Sequence, residues 1–314
     1  MPSQFRKVLC GTPALGCPSF PTARQLASPT AVPYNLPVSC RLVILGSGSR
    51  GNSLLVANSR ARILIDMGFS QRRLAADLAA QTIDPADITA LLVTHTHSDH
   101  VADSSLKFCH YNQVPLVSAA ENLAVLRRRF RTIFARLDRA GLVRPLSPRG
   151  LHIDGIDVRP FELPHDAEGL TLGFHLTLGS GNGAAPLRIA AATDLGHVPP
   201  EVCRIFSATD VLVLESNHDP QLLAASGRPA SLIDRISGDL GHLSNLQTAA
   251  VVAQVLADRP PGSLRHLVLA HLSQECNAPA LALAELARVL APLGSAAPAL
   301  SVAAQDEHLA VALN

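Results

Sequence analysis

The apolar residues of this chain fall into short runs, not long periodic stretches. Arg41–Leu45 (RLVIL), SLLVAN from Ser53 and RILIDMG from Arg62 are rich in branched aliphatics and bounded by Gly, Asn or Ser. Such runs predict strands. The glycine-rich turn GSGSRGNS, Gly46–Ser53, separates the first two. Two hairpin-like returns so early predict an antiparallel start. The spacing then turns helical over Ser70–Gln81, where Leu74 and Leu78 stand four apart and Ser70 is placed to cap. Ala90–Thr94 (ALLVT) reads as a buried strand that runs straight into HTHSDH.

Helices are predicted around Asp103–His110 and over Ala120–Phe130, with a strand at Val114–Ser118 between them. The middle is strand-rich: Ile156–Leu163, Leu170–Leu178 and Leu187–Ala192, the last two joined by a GSGNG turn. Pro199–Ser207, Ser231–Ser237, Asn245–Asp258 and Pro279–Leu290 read as helices, and Val211–Leu214, Leu264–Ala270 and Leu300–Ala304 as strands. Strands in two batches, each closed off by helices, predict two sheets packed face to face with helices outside. A doubly wound parallel fold would alternate strand and helix from the start.

Composition changes this picture at the N-terminus. The whole chain of 314 residues carries 26 bases against 25 acids, formally +1. Residues 1–40 hold no acid, three bases and seven of the 23 prolines, so residues 41–314 carry 23 bases against 25 acids, formally −2. Prolines at 13, 18, 21 and 29 interrupt any signal-peptide apolar core. A transit peptide fits loosely. Residues 1–40 are therefore expected to be a disordered extension, and residues 41–314 one large domain. Cys109, Cys203 and Cys276 are isolated, with no CxxC, which suits a reducing cytoplasm. No run of 18 apolar residues appears, so no membrane span is expected.

The chemistry concentrates in His95-Thr-His97-Ser-Asp99-His100, four candidate ligands within six residues at a strand's end. Imidazole and carboxylate suit zinc, manganese or iron. His95 and His97 can point one way while Asp99 and His100 point another, which suits two adjacent metals. One loop cannot saturate two metals, so partners are expected at other strand ends. The candidates are His165 in LPHDA, Asp194 in AATDLG, His242 in GDLGHLSN and His271 in VLAHLS. A buried, unpaired His or Asp at such positions would cost several kcal/mol, roughly.

GSGSRGNS, ILIDMG, THTHSDH, LPHDA, TDLG, LESNHD, GHLSN and AHLS follow one another over roughly residues 41–305. In these motifs and their order the chain resembles the metallo-β-lactamase superfamily, in its YycJ-type (WalJ-like) subgroup. The resemblance implies an α+β fold, a four-layer αββα sandwich with a binuclear site of two divalent metal ions, zinc or manganese. It implies that His95, His97 and His165 hold one metal, that Asp99, His100 and His271 hold the other, and that Asp194 bridges. Asp66 would orient the HxHxDH loop without ligating; a plain turn residue before Gly68 is the alternative.

GHLSN resembles the segment that supplies a non-ligand histidine in the tRNA 3′-processing branch. His242 would then donate a proton to the leaving oxygen, with Glu215 of LESN as its orienting partner and Asp99 also catalytic. Asn217, Ser244 and Asn245 would touch substrate. The alternative for His242 is a helix cap. Two features depart from the family: Asp103 stands where Gly is usual, and QECN follows AHLS.

The expected activity is dinuclear metal-dependent hydrolysis, with two cations about 3.5–4 Å apart generating a bridging hydroxide. A phosphodiesterase or exonuclease on nucleic acid fits the three jobs of nucleophile, electrophile and leaving-group acid. A thioester or lactone hydrolase, or a metal-binding scaffold, are the other readings. Arg127 and Arg131 of RRRFR would share a helix face toward phosphates, unless that face is merely solvated. With no Trp, nucleic-acid contacts should be to backbone and weakly sequence-specific. Oligomeric state is left open, a homo-oligomer included.

Overall fold

The computed structural model describes residues 40–179, 185–311 and 313. The expected N-terminal extension lies outside these residues except for Cys40, and so does the GSGNG turn except for Gly179.

The first half of the fold is β1 (Arg41–Gly46), β2 (Ser53–Ala57), β3 (Arg62–Ile65), α1 (Gln71–Ala80), β4 (Ala90–Leu92), α2 (Asp103–Asn112), β5 (Leu116–Ser118), α3 (Ala120–Arg129), α4 (Arg131–Arg139) and β6 (Val143–Pro145). The second half runs β7 (Leu151–Ile153), β8 (Ile156–Leu163), β9 (Thr171–Leu178), β10 (Leu187–Ala192), α5 (Pro200–Ser207), β11 (Val211–Glu215), α6 (Pro220–Ala224), α7 (Ala230–Ser237), α8 (Asn245–Ala257), β12 (His266–Ala270) and α9 (Pro279–Leu290). Two last strands, β13 (Ala299–Val302) and β14 (Leu309–Val311), close the two sheets.

One sheet has the order β14-β1-β2-β3-β4-β5-β6 and the other β13-β12-β11-β10-β9-β8-β7. Each is half antiparallel and half parallel. β1, β2 and β3 pair antiparallel, then β3 to β6 pair parallel. In the second sheet, β7 to β10 pair antiparallel and β10 to β13 parallel.

The strands look uniformly apolar because both their faces are covered. In β1, Leu42 and Ile44 point between the sheets, while Val43 and Leu45 point outward under helices. The inter-sheet layer includes Val56, Ile63, Phe174, Leu176, Val213 and Val268. Leu74, Leu78, Phe108, Leu123, Phe134 and Leu137 cover the first sheet's outer face. Phe206, Val252, Val255 and Leu286 cover the second. This is the expected four-layer αββα sandwich.

Several boundaries differ from the sequence reading. Ser70 does cap α1, its Oγ accepting from Arg73 N at 3.2 Å. The strand before HTHSDH stops at Leu92, because Thr94 is drawn off the ladder by Asp66. The helix expected over Ala120–Phe130 ends at Arg129, and α4 begins at Arg131 after a bend at Phe130 (φ −119°, ψ 46°). Arg127 and Arg131 therefore lie on separate helices and do not share the one face that the sequence predicts. The bend lets Ile133, Phe134 and Leu137 enter the outer core. Pro279–Ala296 has the length and mean hydropathy (18 residues, 1.2) of a span. Its helix breaks at Gly294 (φ 54°, ψ −123°), and α9 buries Ala282, Leu286 and Leu290 in the outer layer.

Candidate metal centre

The loops at the carboxyl ends of β3, β4, β8, β10, β11 and β12 meet at one edge of the sandwich. Each delivers at least one titratable side chain: Asp66, His95 to His100, His165, Asp194, Glu215 and His271. His242 joins them from the loop before α8.

The backbone is bent for this purpose. Asp66 (φ 61°), Asp194 (φ 64°) and His271 (φ 56°) adopt the left-handed conformation although none is glycine. Such residues each cost of order 1–3 kcal/mol and cluster where the surroundings hold them for function. Here each turns a side chain from the end of a buried strand back over the cluster.

The donor atoms form overlapping sets. Those of His95, His97 and His165 lie within 4.8 Å of one another; so do those of Asp99, His100 and His271, and those of His95, His100 and Asp194. The first two sets match the triads the resemblance implies, and Asp194 lies between them. Asp194 Oδ2 is 3.1 Å from His100 Nε2, and Asp194 Oδ1 is 3.9 Å from His165 Nε2 and 3.6 Å from His271 Nε2. Asp99 Oδ2 stands 3.5 Å from His271 Nε2 and 3.6 Å from His100 Nε2.

The outward nitrogens explain why the rings face inward. His100 Nδ1 is 2.7 Å from Asp66 Oδ2, and His95 Nδ1 is 3.0 Å from Thr94 Oγ1. His165 Nδ1 is 3.1 Å from the Gly241 carbonyl, and His271 Nδ1 is 2.8 Å from Glu215 Oε1. Each acceptor holds a proton on Nδ1 and leaves Nε2 aimed into the cluster, the usual arrangement around a metal-binding histidine. His97 is reversed: its Nδ1 faces His165 Nε2 at 3.3 Å.

Three inward atoms make the case for a cation. His95 Nε2, His271 Nε2 and Asp194 Oδ2 are buried with no hydrogen-bond partner among the described residues; Asp194 Oδ2, though close to His100, is not aligned to accept from it. Buried polar atoms of that kind are costly unless something pairs with them. The electrostatics agree. Burial alone would lower the His271 pKa, but Asp194, Asp99 and Glu215 outweigh it and raise it to about 10. Burial likewise disfavours the Asp194 carboxylate, yet His271 and His100 hold it well below its ordinary range. The pocket therefore draws positive charge, and its N and O donors fit a divalent transition metal.

Glu215 and His242 form a second feature beside this cluster. Glu215 is fully buried, and its Oε1 lies 2.8 Å from His242 Nδ1. Burial would raise the Glu215 pKa, but His242 and His271 bring it down to about 2. Burial opposes charge on His242, and the Glu215 carboxylate outweighs it and raises its pKa. The side chains of His242 and Asp99 are each 21% exposed, so both reach the mouth of the site.

Three residues expected to touch substrate have structural partners. Ser244 caps α8: its Oγ bonds Gln247 in a capping box, which also removes the capping alternative for His242. Asn245 is fully buried, with Oδ1 accepting from Ser216 and Nδ2 donating to Asn277. Asn217 is buried and donates Nδ2 to the His271 carbonyl at 2.9 Å. All three brace the loops around the centre. Asp66 accepts from Thr94 N, Thr94 Oγ1 and His100 Nδ1, the bracing role expected for it.

Residues in the GSGSRGNS turn had no assigned role, and two have one. Ser47 Oγ accepts from His271 N at 2.7 Å, and Asn52 Nδ2 lies 3.0 Å from His100 Nε2. The signal was the glycine-rich turn itself, since close backbone approach is what such turns permit. Other histidines lie apart: His152 pairs with Asp157 and His308 with Asp77.

Residues 61–263 match the family described as "Beta-lactamase superfamily domain", more than half of the chain. The chain belongs to the beta-lactamase superfamily. Among its relatives is exodeoxyribonuclease YycJ of Bacillus anthracis, 29% identical over 252 residues, 80% of this chain and 89% of that protein. Exodeoxyribonuclease WalJ of Streptococcus pneumoniae is 28% identical over 239 residues, 76% of this chain and 84% of that one. The fold is shared with Zn²⁺-bound PqqB from Methylobacterium extorquens: TM-score 0.59, 18% identity, 86% of this chain and 99% of that one. It is shared also with YhfI from Bacillus subtilis: TM-score 0.58, 12% identity, 86% and 100%. Among superfamily members, the YycJ and WalJ relatives bear out the subgroup that the motif order suggests.

Proposed function

We propose that this protein is a metal-dependent phosphodiesterase that degrades DNA as an exonuclease. The observation that carries the reading is the Glu215–His242 pair beside the two donor triads. The names of the YycJ and WalJ relatives support the same substrate.

His95, His97 and His165 would hold one divalent ion, Asp99, His100 and His271 a second, and Asp194 both. When bound, the ions supply an activated water and draw charge from the phosphoryl oxygen. The chain's own residues do the rest. Glu215 Oε1 accepts a hydrogen bond from His242 Nδ1, which leaves the Nε2–H of a protonated ring free to face the leaving oxygen. Departure of a sugar hydroxyl needs that proton, and general-acid help of this kind contributes roughly 10²–10⁴-fold. Glu215 also orients His271, so one carboxylate sets both the acid and a ligand. Cys109, Cys203 and Cys276 are buried and unpaired, which supports a reducing, cytoplasmic setting.

The test exploits leaving-group chemistry. His242→Ala, assayed with metal content verified, should lose roughly 10² or more in turnover of DNA. It should lose far less on a p-nitrophenyl phosphodiester, whose leaving group departs without a proton. Equal losses on both would remove the acid role.

A further inference from the structure

We infer that arginines on the His165 side of the centre form the track for the substrate's phosphate backbone: Arg128 and Arg129 at the end of α3 and Arg235 of α7, with the exposed Arg131, at the start of α4, as its continuation past the bend. The inference rests on the phosphodiesterase reading and adds where the strand runs.

Three of the four touch the loops that build the centre. Arg129 Nη1 donates to the Thr96 carbonyl at 2.5 Å, between His95 and His97. Arg128 pairs with Glu168, and the Glu168 carbonyl in turn accepts from Thr96 Oγ1 at 2.8 Å. Arg235 Nε pairs with Asp166 at 2.5 Å, and Asp166 follows His165 directly. Two separate helices thus place guanidinium groups along one loop, residues 165–168, and a third contact fixes the neighbouring loop. Arg128 and Arg235 keep 59% and 56% of their side chains exposed.

Charge bookkeeping favours an anion here. Residues 120–139 hold six arginines against Glu121 and Asp138, a surplus of four, in a body that is formally −2. Arg127 is spent on the bend: it lies over the Phe134 ring at 5.2 Å and reaches Asp138 at 3.5 Å. Glu168 and Asp166 offset Arg128 and Arg235, but Arg129 bonds a neutral carbonyl and has no carboxylate partner among the described residues. A guanidinium carries five donors, so one anchoring contact leaves others for phosphate oxygens. A lone phosphorylated small molecule would not need cations strung along a loop and around a bend. A strand with regularly spaced phosphates would.

The experiment measures kcat/KM on an end-labelled single-stranded oligodeoxynucleotide from about 50 to about 200 mM salt. The variant is Arg128→Ala/Arg131→Ala/Arg235→Ala; Arg129 is kept because it holds Thr96. Each lost phosphate contact should flatten the log–log slope by about 0.7, so by about 2 in all, with KM raised at low salt. The matching Lys variant should keep most of the slope. Should the triple variant fail to fold, Arg128→Ala alone, an exposed position beside the 165–168 loop, should flatten it by about 0.7. An unchanged slope and KM would overturn the track while leaving the nuclease reading intact. A wild-type protein that leaves the DNA whole would instead overturn that reading, and the track with it.

Discussion

Glu215 and His242 stand 2.8 Å apart, one fully buried and the other reaching solvent through 21% of its side chain. The same Glu215 oxygen lies 2.8 Å from His271 Nδ1. A buried carboxylate therefore orients both a candidate acid and a candidate ligand. Glu215→Gln keeps the shape and removes the charge. It should lower kcat on DNA by about 10²-fold, with KM changed much less. A KM effect with kcat intact, in steady-state kinetics, would contradict this.

Gly68 packs against the Asp99 backbone. A Cβ there would lie 1.8 Å from the Asp99 carbonyl oxygen, inside any tolerable contact. Met67 N also bonds the His100 carbonyl, so the 66–68 and 99–100 segments move together. Gly68→Ala should displace Asp99 and His100 and weaken metal retention. Metal content after gel filtration checks this; full retention would sink it.

Asp194 links the two triads, and its Oδ2 is among the buried atoms without an aligned partner. Adding Zn²⁺ or Mn²⁺ to chelator-treated protein should raise the thermal midpoint. A ligand at about a hundred times its Kd stabilises by roughly 2.7 kcal/mol. Asp194→Asn should abolish most of that rise. A rise of the same size in the variant would show that Asp194 does not hold the metals.

His218 is buried, 2% exposed, and its Nδ1 has no partner among the described residues. Burial lowers its pKa from 6.5 to about 4. The unfolded chain therefore binds a proton that the folded chain refuses. The neutral ring's contribution is complete above about pH 6.5 and is lost as pH falls toward about 4, roughly 3 kcal/mol in all. His218→Gln should be less sensitive over that window than the wild type in denaturant titrations. Parallel pH dependence in the two proteins would refute the assignment.

Much of this was legible in the sequence because burial and chemistry each leave a pattern. Strands covered on both faces, such as Leu212–Leu214, read as unbroken apolar runs. The HTHSDH loop stood out because donors at that density have few other uses. The bend at Phe130 was not legible. RRRFR is good helical sequence, and only the packing of Phe134 and Leu137 into the outer core breaks it. β6, β7 and β14, each of three residues, were not read as strands. Ser244, Asn245 and Asn217 look like substrate contacts by residue type. Their burial and their partners in the loops are set by the tertiary fold.

The most direct test of the account is the time course of an end-labelled DNA strand incubated with the metal-loaded protein, alongside Asp194→Asn. The account predicts progressive release of mononucleotides by the wild type and none by the variant. A strand left intact by the wild type, while a thioester or lactone is hydrolysed by the same preparation, would contradict it.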